Sequence, residues 1–462
     1  MPSGCILKPL QRELADQIVR LAHPDDLRIL LACGAKVNET VTQGLKPIHY
    51  AVWQRHKEAV NLLLVRGCDV NAIDETGSSA LHLASERGFI DMMQILLDHG
   101  AKTDYREDLE EGVLFPRTTF CEEPLRLAIK NNHYDAARLL LERGANPNAR
   151  YFFGSEINLI SPVDVTFLDL LLTYGADPDS RDRSGLTPLM KACRLPHAIE
   201  SVLCLISHEA NVNAMTDERH DFRTVLHYAV ISGSYETVSL LLKQGAAVNF
   251  PPDYQKPTPL DIAILTGDVN LVKMLIDAGA NVNASSPIIG SPLHVASADN
   301  IPNRLAIMRV LLESGAEPNK MIVSDDGTAL KPVLGEYLSS NEVIDKSVVA
   351  LLMRHGAKVI LKSQFRDPRG ILNCLQNVGP QEEIMMELLE AAESFDPPMI
   401  RRCPSLTTEL KSIALTKSKN PCSLKHQVRL YLWKFLGSKL PGRIDEIFLP
   451  RTLGLYLLFQ MN

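Results

Sequence analysis

A short phrase recurs ten times along the chain and constrains its fold more than any other feature. Each copy has apolar residues, two intervening residues, and then Gly-Ala or a close variant, as in LLVRGCDVN at 63–71 and LIDAGANVN at 275–283. The Gly position, occupied by Glu in one copy, recurs at 34, 67, 100, 144, 175, 209, 245, 279, 315 and 356. Most intervals are close to 33 residues, which predicts a stack of small units that bury apolar surface against one another.

A second phrase upstream of the Gly predicts the start of a helix. In TPLM and SPLH, the Ser or Thr can cap free backbone N–H groups, Pro fits the first helical position, and Leu opens an apolar stripe. The Gly then supplies the left-handed backbone that ends a second helix. Each unit is therefore predicted to be two short antiparallel helices and a turn. The copies are KPIH (46–49), SALH (79–82), EPLR (123–126), TPLM (187–190), TVLH (224–227), TPLD (258–261), SPLH (291–294) and TALK (328–331).

His and Asn residues recur at fixed offsets in these phrases. Because they occur once per unit, we expect the His side chains to form hydrogen bonds between repeats rather than to bind a metal or transfer protons. The Asn residues are expected to form turns. The residues concerned are His49, His82, His227 and His294, and Asn38, Asn71, Asn213, Asn249 and Asn283.

These phrases and their spacing resemble the ankyrin-repeat family over about 25–392. The resemblance implies an all-α fold, a solenoid of about ten helix-turn-helix repeats, preceded by a helical cap at 1–24. Two copies depart from the pattern: the one between Arg150 and Gly175 lacks the helix-start phrase, and Glu209 replaces a Gly. A last unit at 385–395, MMELLEAAESF, is interpreted as a degenerate cap.

The longest interval between repeats contains an insertion at 104–120. It begins acidic and becomes aromatic and apolar, with Leu114, Phe115 and Phe120 in what would otherwise be a solvated loop. Insertions in solenoids lie on one face, often a binding face. We predict that these three residues contact a target protein, with a solvated loop as the alternative.

The C-terminal region differs from the repeats in charge and pattern. Residues 401–443 contain ten Lys or Arg and one acidic residue, whereas the whole chain has a net charge of −7, so the rest carries −16. Within 421–437, Leu424, Val428 and Leu432 form one stripe of a predicted helix. A second short helix follows Pro450 and places Leu453 on its apolar face. So short a region cannot form much of a core alone and must pack on something else.

This order of elements after ankyrin repeats resembles the ankyrin repeat and SOCS box family, with a linker at 393–420 and a small helical SOCS box at 421–462. The resemblance implies that Leu424, Val428 and Leu432 bind Elongin, with Val428 at a position where the family has Cys. It also implies that Leu449, Pro450 and Leu453 bind a cullin. The family motif there is Leu-Pro-x-Pro, and Phe448 stands in place of its first Pro.

The implied function is that of a substrate-recognition subunit of a ubiquitin ligase, which promotes ubiquitination and proteasomal degradation of a target in intracellular signalling. Its partners would be Elongin B, Elongin C, a cullin with its RING subunit, and an unidentified target protein. The chain is expected to be no enzyme and to hold no cofactor or metal, because no phosphate loop, H-E-x-x-H or G-x-S-x-G motif occurs. The alternative is a non-catalytic scaffold or adaptor whose C-terminal helices only cap the solenoid.

Composition adds expectations about location. The net charge of −7 argues against whole-surface binding to nucleic acid, and the apolar stripe argues against a basic nucleic-acid tail. Nine scattered cysteines without a C-x-x-C pair argue against a disulfide framework or structural zinc. The charged first residues do not resemble a signal peptide, and the longest apolar stretch is interrupted by Asp169. We expect a protein of the cytoplasm, with the nucleus also open, and no membrane association.

Overall fold

Helices make up nearly all the regular structure of this computed structural model. It describes residues 10–105, 122–151, 153–251, 253–323, 329–365, 367–378, 381–419, 423–436, 444 and 449–458. These residues form successive pairs of short helices separated by turns, which confirms the predicted all-α fold of stacked helix-turn-helix repeats. Two compact units are distinguished, one formed by Met1–Cys193 with His197–Ala214 and the other by Arg194–Pro196 with Met215–Asn462.

The first unit contains six successive helix pairs and one small hairpin in its described part. In the first four pairs, the first helix of each pair packs on the first helix of the next and on the second helix of its own pair. The hairpin pairs β1 (Arg150–Tyr151) with β2 (Gly154–Ser155) in antiparallel fashion. The helices are α1 (Leu10–Val19), α2 (Pro24–Ala32), α3 (Pro47–Trp53), α4 (Lys57–Val65), α5 (Ala80–Arg87), α6 (Ile90–Asp98), α7 (Pro124–Lys130), α8 (Tyr134–Glu142), α9 (Glu156–Leu159), α10 (Val165–Thr173), α11 (Pro188–Cys193) and α12 (Ile199–Ser207).

The second unit continues the same pattern through four pairs and then changes. Its paired helices are α13 (Val225–Ser232), α14 (Tyr235–Lys243), α15 (Pro259–Thr266), α16 (Val269–Asp277), α17 (Pro292–Ser297), α18 (Arg304–Glu313), α19 (Val333–Ser340) and α20 (Lys346–Arg354). The later helices are α21 (Glu382–Ala391), α22 (Pro397–Arg402), α23 (Thr408–Lys419), α24 (Leu424–Leu436) and α25 (Arg451–Leu457). Four short strands complete it: β3 (Ile322–Val323), β4 (Ala329–Leu330), β5 (Val359–Leu361) and β6 (Ala392–Phe395). Strands β3 and β4 pair antiparallel, and β5 pairs with β6 in parallel.

The helix-start phrases form caps as the sequence predicts. At the start of α5, the Ser79 N–H donates to Nδ1 of His82 at 3.0 Å, and the His82 N–H donates back to the Ser79 hydroxyl at 3.4 Å. Thr258 and Asp261 exchange the same two bonds at the start of α15, at 2.9 and 3.3 Å. These reciprocal bonds satisfy N–H groups that have no partner inside the helix.

The Gly positions after the second helices adopt left-handed backbone. Gly34 has φ of +104° and Gly356 has φ of +86°. Glu209 takes the same conformation with φ of +63°, so this repeat keeps the turn although a side chain makes it costly.

The recurring His side chains connect neighbouring repeats, as predicted. Nε2 of His49 lies 3.1 Å from the carbonyl oxygen of Ala72, and that of His294 lies 3.1 Å from the carbonyl oxygen of Lys331. His82 instead contacts the ring of Tyr105 in a tilted arrangement, with ring centroids 4.7 Å apart.

The recurring Asn side chains also connect repeats, which is more than the turn formation expected of them. Asn249 donates from Nδ2 to the carbonyl oxygen of Gly279 at 2.9 Å and accepts at Oδ1 from the N–H of Asn281 at 2.8 Å. Asn38, Asn71, Asn148, Asn283 and Asn319 donate in the same way to the Gly that ends the next repeat. Each such side chain therefore ties one turn to the following one.

Three segments differ from their sequence interpretation. TALK does not begin a helix, because Ala329–Leu330 form β4 and α19 begins at Val333 after Pro332, whose ring restricts the residue before it. The copy without a start phrase replaces it with the β1–β2 hairpin and one turn of helix, α9. The segment 393–420, expected to be a linker, contains β6, α22 and α23, which are anchored by the buried side chains of Ile400, Leu410 and Ala414.

Candidate functional site

Helix α24 presents two faces of different character, and its inner face contacts the turn that follows α20. Trp433 lies against Gly356, the residue that ends the turn after α20, so closely that a Cβ on Gly356 would be 2.5 Å from Cε3 of the indole. His426 and Arg429 are also buried on this face. The indole of Trp433 therefore seats the helix on the turn after α20, so the helix is not merely tethered to the repeats.

A small core joins α24 to α25. Ile444 and Leu457 are buried at its centre, and Leu432, Trp433, Leu449 and Leu458 pack around them. The indole N–H of Trp433 donates to the carbonyl oxygen of Leu457 at 3.1 Å, at the C-terminal end of α25. These contacts hold the two C-terminal helices together as one body.

Arg429 contributes a second connection between the two helices. Its guanidinium carbon lies 3.5 Å from the ring centroid of Tyr456, and Nη2 donates to the carbonyl oxygen of the same residue. Burial lowers the pKa of Arg429, although this residue stays charged throughout the ordinary pH range. Burial, together with the positive charge of Arg429, also lowers the pKa of His426 and keeps this ring neutral at physiological pH.

The outer face of α24 is an exposed apolar stripe. Leu424 is 76% exposed, Tyr431 is 67% exposed and Phe435 is 77% exposed. The spacing of seven and four residues places all three on one side of the helix, and the half-buried Val428 lies between them. The rings of Tyr431 and Phe435 lie nearly parallel, with centroids 6.4 Å apart. Exposed apolar side chains aligned in this way are typical of a protein-binding surface. The name outer stripe is used below for Leu424, Val428, Tyr431 and Phe435.

The predicted Elongin residues divide between the outer stripe and the small core. Leu424 and Val428 belong to the outer stripe, whereas Leu432 packs toward Ile444 and Leu457. Tyr431 is absent from the sequence prediction, although its position seven residues after Leu424 is a signal that could have found it.

The predicted cullin residues lie at the start of α25. Leu449 packs on the small core, Pro450 is exposed at the N-cap of α25, and Leu453 is half-buried. Phe448 lies outside the described residues, as do the predicted target-binding residues Leu114, Phe115 and Phe120.

The repeats of the second unit contain a groove that could receive part of another protein. It has a volume of about 250 Å³ and is lined by Phe250, Tyr254, Lys256 and Lys320 among others. The rings of Phe250 and Tyr254 stack with centroids 4.5 Å apart, and Lys256 forms an ion pair with Asp221 at 2.9 Å. The groove thus offers an aromatic wall beside Lys320, with the charge of Lys256 balanced by Asp221, which suits an extended peptide with apolar side chains.

Potential metal ligands also meet in the described part of the chain. In the first unit, Asp169 on α10 lies close to Cys204 on α12 and to His208 at the C-terminal end of the same helix. Within the described ranges, no helix combines the length and apolar character that crossing a bilayer requires.

Comparison with protein families gives two matches that cover most of the chain. The model for ankyrin repeats matches residues 17–107, 74–151, 163–252 and 205–286, which together exceed half of the sequence. The model for the SOCS box matches residues 420–458, the segment that contains α24 and α25.

Curated relatives share the repeats over parts of their length. The chain is 24% identical to E3 ubiquitin-protein ligase KEG of Arabidopsis thaliana over half of its own length and 14% of that protein. It is 26% identical to human Inversin over 46% of its own length and 20% of that protein. It is 30% identical to the putative ankyrin repeat protein FPV232 of fowlpox virus over 60% of its own length and 47% of that protein. The chain spans less than half the length of each of these relatives.

Proposed function

The chain belongs to the ankyrin-repeat family and carries a C-terminal SOCS box, and we propose that it is the substrate-recognition subunit of a ubiquitin ligase containing Elongin B, Elongin C and a cullin with its RING subunit. Ankyrin repeats bind proteins, and both domain types are of the adaptor kind. The repeats would hold a target protein, while the SOCS box would dock on the ligase core. Catalysis would come from proximity, because the bound target is held near a ubiquitin-conjugating enzyme brought by other subunits.

The observation that carries this proposal is the outer stripe of α24. A helix that only capped the solenoid would bury its apolar side chains and face solvent with polar ones. In α24 the inner face is already occupied by Trp433 and Arg429, yet Leu424 and Phe435 remain more than three-quarters exposed on the opposite side. Exposed apolar area of this kind favours a partner that covers it, and the SOCS-box match suggests Elongin C.

The test is capture of Elongin B and Elongin C by the full chain in co-expression. Burying a Leu side chain contributes about 1.5–3 kcal/mol, and an Asp in its place also loses solvation. We therefore expect Leu424→Asp to weaken capture by at least tenfold. The matched control is Val65→Asp, which changes an equally exposed aliphatic side chain on α4 and should leave capture unchanged. Equal capture by wild type and Leu424→Asp would show that the outer stripe is not the Elongin surface.

The cullin step depends on different residues and needs its own measurement. Pro450 fixes the start of α25 and is exposed, whereas Leu449 is part of the small core. We propose that Pro450 and Leu453 contact the cullin. Pro450→Ala should therefore reduce cullin recovery without reducing Elongin recovery. If both recoveries fell equally, Pro450 would not belong to a separate cullin contact.

A second candidate, a scaffold whose C-terminal helices only cap the repeats, is favoured by the seating of Trp433 on Gly356. Capping the repeats does not by itself exclude Elongin binding, because the two would use opposite faces of α24. The discriminating result is Elongin capture: a pure scaffold would retain its target and recover neither Elongin.

We further propose that the chain acts in the cytoplasm, with the nucleus as a second location. Microscopy of the tagged full chain would test this.

A further inference from the structure

We propose that Asp169, Cys204 and His208 form a binding site for one thiolate-preferring divalent cation of the Zn²⁺ type. The three side chains supply a carboxylate, a thiol and an imidazole, which are the three kinds of ligand that Zn²⁺ takes from proteins. All three lie in the first unit. The SOCS box and its proposed partners play no part in the site.

The distances suit a shared cation. Sγ of Cys204 lies 3.9 Å from Oδ1 of Asp169, and Nε2 of His208 lies 3.3 Å from the same oxygen. All three ligand atoms lie within 4.8 Å of one another. Zn–S, Zn–N and Zn–O bonds of about 2.3, 2.0 and 2.0 Å at tetrahedral angles would place S about 3.5 Å from O and from N, and N and O about 3.3 Å apart. The two distances to Asp169 are therefore within a few tenths of an ångström of those required, and Sγ of Cys204 and Nε2 of His208 need to close from within 4.8 Å to about 3.5 Å.

The helices position these ligands without distortion. Cys204 and His208 are four residues apart around the end of α12 and so face the same way, as two ligands on one helix face must. Asp169 lies on α10, which packs directly against α12. A cation here would cross-link the second helices of two successive repeats.

The residue types at this junction depart from those of the other repeats. Cys204 lies five residues before the turn position, where the other nine copies have an aliphatic side chain or Met. Asp169 lies six residues before its own turn, and no other copy has an acidic residue there. His208 directly precedes the turn, as His99 and His355 do in two other copies. Only at this pair of repeats do a carboxylate, a thiol and an imidazole occupy these three positions.

An ordinary ion pair between Asp169 and His208 is the competing explanation. In that explanation the Cys204 thiol can also donate to the same carboxylate oxygen at 3.9 Å. An exposed ion pair and so long a hydrogen bond contribute little to stability, and they do not explain why this repeat has a thiol at the aliphatic position. The side chain of Asp169 is 63% exposed, so the fourth coordination position would face solvent. Water or a side chain of a bound protein would fill that position, and the thiol proton would be released to solvent on binding.

The test is titration of the purified full chain with Co²⁺, followed by displacement with Zn²⁺. A thiolate–Co²⁺ bond gives a near-ultraviolet charge-transfer band, which reports directly on Cys204. We expect one Co²⁺ per chain, loss of the band on adding one equivalent of Zn²⁺, and a higher melting temperature with Zn²⁺.

Each variant takes the residue that another repeat has at the same position, so the fold should be kept. Cys204→Leu, as in Leu240, should abolish the band. His208→Gln, as in Gln244, and Asp169→Ser, as in Ser239, should each weaken binding at least tenfold. The controls are His99→Gln and Cys33→Ala, which change a His before another turn and an exposed free thiol and should leave binding unchanged. A band that persists in Cys204→Leu, disappears in Cys33→Ala, or is absent from the wild type would overturn the proposal.

Discussion

Trp433 of the SOCS box lies so close to Gly356 of the last complete repeat that a single added methyl group would collide with its indole ring. The turn glycines Gly34, Gly67, Gly100, Gly144, Gly175, Gly245, Gly279 and Gly315 have nothing within 4 Å of the corresponding position. Two constraints therefore favour glycine at position 356. Its backbone is left-handed, as at the other turn glycines named, and the Trp433 ring also leaves no room for a side chain.

The first prediction separates these two requirements. Gly315→Ala should cost about 1 kcal/mol for its positive φ alone, whereas Gly356→Ala should cost at least about 1 kcal/mol more because Trp433 must move. Thermal or urea unfolding measures both. In a Trp433→Ala background the extra cost should vanish, and a cost that persisted there would refute the packing explanation.

The second prediction distinguishes the two sides of α24. Leu432→Asp places a charge beside Ile444 and Leu457, so it should destabilise the pairing of α24 with α25 by about 2 kcal/mol. Leu424→Asp should leave that pairing intact because Leu424 is exposed. Amide hydrogen exchange over 424–458 is the measurement. Unchanged protection in Leu432→Asp would contradict the small core.

The third prediction concerns Glu209. Its φ of +63° is strained for a residue with a side chain, and Gly relieves that strain while adding some freedom to the unfolded chain. We expect Glu209→Gly to raise the free energy of unfolding by about 0.5–1 kcal/mol, seen as a higher melting temperature. Glu209→Ala serves as control, since it removes the carboxylate but keeps the strain and should gain nothing.

The fourth prediction concerns pH. Burial lowers the pKa of His227 to about 4, whereas an exposed His titrates near 6.5. As pH falls, the unfolded chain therefore binds this proton before the folded chain does. The free energy of unfolding loses the contribution of the neutral His227 ring, roughly 2–3 kcal/mol, as pH falls from about 6.5 to about 4. His227→Met, which introduces the residue that another copy has as Met190, should be less stable than wild type at about pH 7.5 but should approach it near pH 4.5. A stability gap that stayed constant with pH would rule out titration of His227.

The repeat architecture is predictable from sequence because its signals are local. Period, helix-start phrases and turn glycines each act within a few residues, and the caps at Ser79 and Thr258 form as their sequence predicts. The start of α19 departs from the prediction because Pro332 moves the helix beyond the phrase TALK. Segment 393–420 resembles a linker because its few apolar residues show little periodicity of their own, although α23 packs on α21, α22 and β6.

The candidate sites depend on contacts that no short pattern shows. Family resemblance identifies Leu424, whereas the contact of Trp433 with Gly356 joins residues 77 positions apart. Asp169 and Cys204 are 35 positions apart, so scanning for closely spaced ligands cannot pair them. Stacking of repeats brings such residues together, and it becomes visible only when neighbouring helices are placed side by side.

The seating of α24 also fixes an orientation. A SOCS box attached by a flexible linker would sample many directions, and the effective concentration of a partner bound to it would be low near any one point on the repeats. With Trp433 fitted onto the end of α20, the direction of the outer stripe is instead set by the tenth repeat. Under the proposed ligase function, a target bound by the neighbouring repeats would face the partner on the stripe from one side only. The position of its lysines, rather than the sequence around them, would then decide which are modified.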